Sequence, residues 1–128
     1  MQGDGITILC VDDEETPRIV RALMLRSRGY KVIAAASAAE ALKALEHGAI
    51  DLILSDQMMP VMSGTELTKL VKATRPRMPV ILISGMNEVP ADAQDADAFI
   101  SKIGGPELLF TTIREVLISY GLIDGTGL

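Results

Sequence analysis

Asp12 and Asp13 directly follow an apolar run, Ile6 to Val11, and Asp56 follows a second one, Asp51 to Ser55. Ser84 closes a third run, Pro79 to Ser84, and Lys102 follows a fourth, Asp97 to Ser101. Carboxylates that meet in one place repel each other and take up protons unless a cation joins them. Oxygen-only donors suit a hard divalent ion such as Mg²⁺ better than zinc. No His or Cys cluster offers another metal chemistry, because His47 and Cys10 are single residues far apart in the chain. With a metal present, an aspartate can act as the nucleophile of a phosphoryl transfer. A lysine ammonium (Lys102) and a hydroxyl (Ser84) would then face the remaining oxygens of a charge-spread transition state.

These residues can act together only if the fold gathers them. Short apolar runs alternate with amphipathic stretches about five times along the chain. Thr16-Pro17 reads as an N-cap followed by proline at the first helical position, and Gly29 as the stop of that helix. Tyr30 to Ala35 is the second strand. Ser37 with Glu40 forms a capping box for a helix that ends near Gly48. Ser63-Gly64 leads into a helix with Leu67, Leu70 and Val71 on one face. The last helix carries Leu109, Ile113, Val116, Leu117 and Tyr120 at helical spacing. Residues 86–96, which include Pro90, read as one short helix with little apolar stripe.

Continuous apolar strands that alternate with helices predict a parallel sheet covered on both faces. The expected architecture is a flavodoxin-like, doubly wound (βα)₅ sandwich of three layers with strand order 2-1-3-4-5. In that order strands one and three are neighbours, and ligands bind beyond the carboxyl ends of the strands. Asp12, Asp13 and Asp56 would converge there. The expectation is a single domain over 1–128, with a core of about 6–120 and a fraying tail over 121–128. Net charge is -5, which argues against a nucleic-acid surface. No run is long enough for a membrane span and no leader is visible. A lone cysteine fits a reducing compartment, so the expected location is cytoplasmic. Cys10 reads as a small core residue, His47 as a complement to a helix carboxyl end, and Gly64 as a tight turn. The Met58, Met59 and Met62 group reads as loop packing.

The strings ILCVDDEE (8–15), DLILSDQMMPVMSG (51–64), VILISG (80–85) and AFISK (98–102) resemble the receiver domains of two-component response regulators. The resemblance runs from about Ile6 to Tyr120. It implies Asp56 as the phosphoacceptor and Asp12, Asp13, Asp56 and the backbone carbonyl of Met58 as Mg²⁺ ligands. It also implies Ser84 as the switch hydroxyl, Lys102 as the family lysine and Phe99 as the rotating aromatic. A histidine kinase or phosphotransfer protein would donate the phosphoryl group. The chain would catalyse its own phosphorylation and slow dephosphorylation without being an enzyme in the ordinary sense. An output protein or domain, or a second copy of the chain, would then read the altered surface.

Three features depart from that pattern. Lys102 precedes Ile103 and then Gly104-Gly105-Pro106, whereas the family has lysine followed by a cis proline. A cis bond before Ile103 would cost about 3 kcal/mol, so a trans bond with a rearranged loop is one outcome and a strained bond held by the glycines the other. The segment between Ser84 and Lys102 is short, which puts the partner-facing surface in question. Met58 and Met86 stand at positions that govern water access, which suggests a long-lived acyl phosphate. A receiver that signals without phosphorylation is the alternative from the interaction class. A flavin carrier or an aspartate phosphatase is the enzyme alternative, weakened by the lack of a phosphate cradle and of an Asp-x-Asp motif.

Overall fold

Residues with nothing but apolar side chains on both faces of a strand must be covered on both sides, and the chain meets that demand with one sheet between two helical layers. The computed structural model describes residues 5–85 and 93–125. Five strands, β1 (Thr7–Val11), β2 (Lys31–Ala35), β3 (Leu52–Asp56), β4 (Val80–Ser84) and β5 (Ala98–Ser101), pair in parallel in the order 2-1-3-4-5. The helices are α1 (Glu15–Ser27), α2 (Ala38–His47), α3 (Gly64–Thr74) and α4 (Gly105–Ser119). Every residue of β3 and β4 is buried. On one face Ile8, Leu52, Leu54, Ile81 and Ile83 pack with Leu25 of α1 and with Ile113 and Leu117 of α4. On the other face Leu9, Val11, Ile53 and Leu82 pack with Ala41 and Leu45 of α2 and with Leu67 and Val71 of α3. Cys10 is a buried core residue. The expected fold class is the observed one.

The register is what positions the site. Val11 of β1 lies beside Ser55 of β3. The next residues, Asp12 and Asp56, therefore leave the sheet side by side. Asp56 in turn lies beside Ile83, and Ser84 beside Ser101, so Ser84 and Lys102 reach the same edge.

Several boundaries differ from the sequence expectation for clear reasons. The predicted strands began at Asp51 and Asp97, one residue before the observed starts; the side chain of each accepts a hydrogen bond from the neighbouring strand's backbone. Thr7 N–H donates to Asp51 Oδ2 at 2.8 Å, and Val80 N–H to Asp97 Oδ2 at 2.8 Å. Both act as staples across neighbouring strand starts. Helix α1 begins before Thr16, because Glu14 carbonyl already accepts from Arg18 N–H at 3.2 Å. Pro17 thus sits in the first turn, where a missing N–H costs nothing. Leu70 is 46% exposed, and Thr68 takes the inward place, its hydroxyl donating to Gly64 carbonyl. At 100° per residue, Leu70 falls off the stripe formed by Gly64, Leu67, Thr68 and Val71. Within 86–96, Ala93–Asp95 forms a 3₁₀ turn. The rest of the helix expected there, Pro90 included, falls largely on residues 86–92, outside the described residues.

The tail was expected to fray from Gly121. Its described part, 121–125, opens on a helix stop, with Gly121 at φ 72 and Leu122 N–H donating to Leu117 carbonyl at 2.9 Å. Ile123 packs on the core. None of the described helices is long and apolar enough to cross a membrane.

One residue of the β3–α3 loop is held against its preference. Val61 is fully exposed and has φ 69. A β-branched residue in the left-handed region carries a penalty of about 1–2 kcal/mol, and asparagine tolerates it far better. Val61→Asn should raise the urea midpoint at unchanged slope, by about 1 kcal/mol of stability.

Candidate functional site

The carboxyl edge of β1, β3, β4 and β5 gathers the expected residues. Asp12, Asp13 and Asp56 each present a carboxylate oxygen to a common point, these atoms lying within 4.8 Å of one another. Asp12 and Asp56 are buried, at 0% and 2% exposure. Ser84 is buried at the end of β4. Lys102 reaches in from β5, its Nζ 3.4 Å from Asp56 Oδ2, with which it hydrogen-bonds, and 3.4 Å from Oδ1. Asp56 Oδ1 is buried and accepts no hydrogen bond. Met58 follows two residues after Asp56, with its side chain largely in solvent. Its expected water-shielding partner, Met86, lies outside the described residues. Phe99 is partly buried beside Leu82 on the α2–α3 face of the sheet.

The loop after β5 resolves the question raised by the missing proline. No described peptide bond is cis, so Lys102–Ile103 is trans. Lys102–Gly104 forms a 3₁₀ turn in which Ser101 Oγ accepts from Ile103 N–H. Gly105, at φ 80, then lets the chain enter α4 at Pro106. The ammonium still reaches Asp56 by this rearranged route.

Sequence reasoning missed several residues that build the site. Arg21 of α1 donates from Nη1 to Asp12 Oδ2 at 3.0 Å, and Arg18, one turn earlier, donates to Asp12 carbonyl at 2.9 Å. Their spacing of three places both arginines on one helix face just beyond the acidic pair, which was the available signal. Asp12 Oδ1 accepts from Glu14 N–H at 2.9 Å, so Asp12 turns the chain into α1 as well as facing the site. Gln57 is the other missed residue. Its side-chain oxygen accepts from both the backbone N–H and the hydroxyl of Thr65, at 2.8 and 2.9 Å. That bond and the Ser63–Glu66 capping box fix the start of α3 under the Asp56 loop.

Gly64 was expected only to permit a turn. Its real constraint is proximity: a Cβ there would lie 2.6 Å from Asp56 carbonyl and 2.8 Å from a Leu82 methyl. Gly64 N–H also donates to Gln57 carbonyl at 2.9 Å. Gly64→Ala should therefore push the Asp56 segment away from α3 and cost about 1–3 kcal/mol by denaturant melt.

The charge balance of the site is unfavourable as it stands. Burial raises the Asp56 pKa above the ordinary carboxylate value; the Lys102 ammonium opposes this and the Asp12 carboxylate adds to it. The residues fit a hard divalent ion, because the donors are all oxygen, they converge, and one buried carboxylate oxygen accepts no hydrogen bond. A raised folded-state pKa means that ionised Asp56 costs stability above the ordinary carboxylate range and nothing below it. In chelator at neutral pH, Asp56→Asn should melt at a higher temperature than the unaltered chain. The gain should shrink as pH falls into the ordinary carboxylate range, and an Asn variant of lower stability at neutral pH would contradict this charge assignment.

Comparison with known proteins agrees with this geometry. The sequence pattern of the response regulator receiver domain matches residues 8–114. The chain is 38% identical over 119 residues to the sensor kinase CckA of Brucella abortus, covering 87% of the chain and 12% of that kinase. It is 32% identical over 114 residues to the transcriptional regulatory protein GlrR of Escherichia coli, covering 86% of the chain and 26% of that regulator. The chain thus spans only a minor part of both. Among solved structures, the response regulator TrrA of Thermotoga maritima, in complex with Mg²⁺-BeF, superposes with a TM-score of 0.83 at 27% identity, over 88% of this chain and 99% of that one. A CheY-like receiver domain from Methanospirillum hungatei gives 0.83 at 32% identity, over 91% and 96%. The match over most of the chain, on a sheet of the same strand order with its acidic residues gathered at one edge, means that this chain belongs to the response regulator receiver domain family of two-component systems.

Proposed function

We propose that the chain accepts a phosphoryl group on Asp56 in a Mg²⁺-dependent reaction, with a phosphohistidine of a histidine kinase or phosphotransfer protein as donor. The observation that carries this reading is Asp56 Oδ1, a buried carboxylate oxygen without a hydrogen-bond donor, set between an acidic pair and a lysine. A buried acceptor atom left open is costly in a purely structural role.

Asp12, Asp13 and Asp56 would hold the ion, with Met58 carbonyl as a further ligand. Bound Mg²⁺ supplies neutralisation of the carboxylates and of the incoming phosphoryl oxygens. The Asp56 carboxylate forms a new O–P bond while the P–N bond of the donor breaks, and the electron pair leaves on the donor nitrogen. Lys102, tethered by the 3₁₀ turn, holds its positive charge beside the oxygens of the transferring group. Ser84 supplies a hydroxyl at the end of β4, and Phe99 on β5 would follow it as the surface changes. The likeness to TrrA supports the metal chemistry, because that protein was crystallised with Mg²⁺ and a beryllium fluoride group.

Intact mass after incubation with Mg²⁺ and acetyl phosphate should show a single phosphoryl adduct on the unaltered chain. The adduct should vanish in chelator and in Asp56→Asn. Lys102→Ala should slow its formation by at least about tenfold, through loss of a fixed charge at the reacting group. Absence of any adduct would favour a receiver that signals without phosphorylation.

A further inference from the structure

Arg21 is a charged residue of the site to which the proposed phosphoryl transfer gives no role. Its side chain is 11% exposed and its guanidinium lies 3.0 Å from Asp12 Oδ2. The other oxygen of Asp12 is taken by Glu14 N–H, and its carbonyl by Arg18. Both oxygens of a fully buried aspartate are therefore engaged by donors of the protein itself. Arg21 also lowers the electrostatic cost of ionised Asp56. Arg21 and Lys102 thus face three carboxylates before any metal arrives.

Resting on the reading of the three aspartates as a Mg²⁺ site, we infer that Arg21 is a built-in counter-cation that a divalent ion must displace from Asp12 or share it with. A guanidinium and a dication compete for the same carboxylate charge, and their mutual repulsion weakens whichever arrives second. The fold provides a place for the displaced arm. A cavity of about 280 Å³ lies next to Arg21 between α1, β5 and the start of α4, lined by Pro17, Val20, Met24, Ile100 and Leu109, with Lys102 at its edge. Apolar walls can cover the aliphatic stem of an arginine while its head turns to water. Arg21 would then set the Mg²⁺ concentration at which the domain becomes competent, and in metal-free conditions it would keep the acidic edge from bursting apart.

The test compares the unaltered chain with Arg21→Met, whose unbranched apolar stem suits the cavity, and with Arg21→Lys, which keeps the charge. Mg²⁺ affinity is measured by calorimetric titration, and melting temperature in chelator and in saturating Mg²⁺. Arg21→Met should bind Mg²⁺ about tenfold more tightly (~1.4 kcal/mol). It should also melt lower than the unaltered chain in chelator and gain more on Mg²⁺ saturation, while Arg21→Lys falls between the two. Equal affinities for the unaltered chain and Arg21→Met would overturn the inference, as would weaker binding by Arg21→Met, which would make Arg21 a residue that holds Asp12 in place for the metal. Mg²⁺ binding by none of the three, even in large excess, would instead remove the metal reading itself and this inference with it.

Discussion

Like charges held together out of water govern this molecule. The parallel register of β1 and β3 places Asp12 next to Asp56, and both are buried. Ions in such a setting are costly unless compensated, and each feature around them supplies part of the compensation. Arg21 and Glu14 N–H engage Asp12, Lys102 reaches Asp56, and Asp13 stands at the more open side. Among the described residues, Asp56 Oδ1 faces the Lys102 ammonium at 3.4 Å but accepts no hydrogen bond.

The sheet can maintain this arrangement because its middle does not yield. β3 and β4 are buried throughout, and the residues on their two faces belong to two separate apolar clusters. Close-packed interiors transmit displacement rather than absorb it. Asp51 and Asp97 anchor the opposite end of the strands with side-chain bonds to Thr7 and Val80. Asp97 extends that anchor to two helices, since it also binds Lys72 of α3 and the hydroxyl of Tyr120 at the end of α4. One end of the sheet is stapled by aspartate side chains, and the other gathers Asp12, Asp13, Asp56 and Lys102. This division suits a fold whose ligands bind at the carboxyl ends of its strands.

Packing against the acidic end is equally tight. Gly64 lets α3 approach the Asp56 backbone as closely as a missing Cβ allows, and Gln57 caps the same helix from inside. The opening of α3 and the Asp56 loop therefore share a wall. Asp56 also lies beside Ile83 of β4, and β4 in turn places Leu82 beside Phe99 and Ser84 beside Ser101.

The periodic alternation of apolar runs and helices carried the fold, because strands buried on both faces leave no other good solution than a covered parallel sheet. The acidic pair, Asp56, Ser84 and Lys102 were legible for the same reason: each ends a run, and run ends meet at one edge. Burial, proximity and competing hydrogen bonds depend on the third dimension and were decided there. The sequence could not show that Gly64 is needed for close approach rather than for a turn, or that Leu70 faces solvent while Thr68 faces the core. Nor could it show that Lys102 reaches Asp56 through a trans bond and a 3₁₀ turn. Arg21 is the sharpest case. Along the chain it is one more charge on a helix, and only the packing of α1 against β1 turns it inward, onto a buried aspartate.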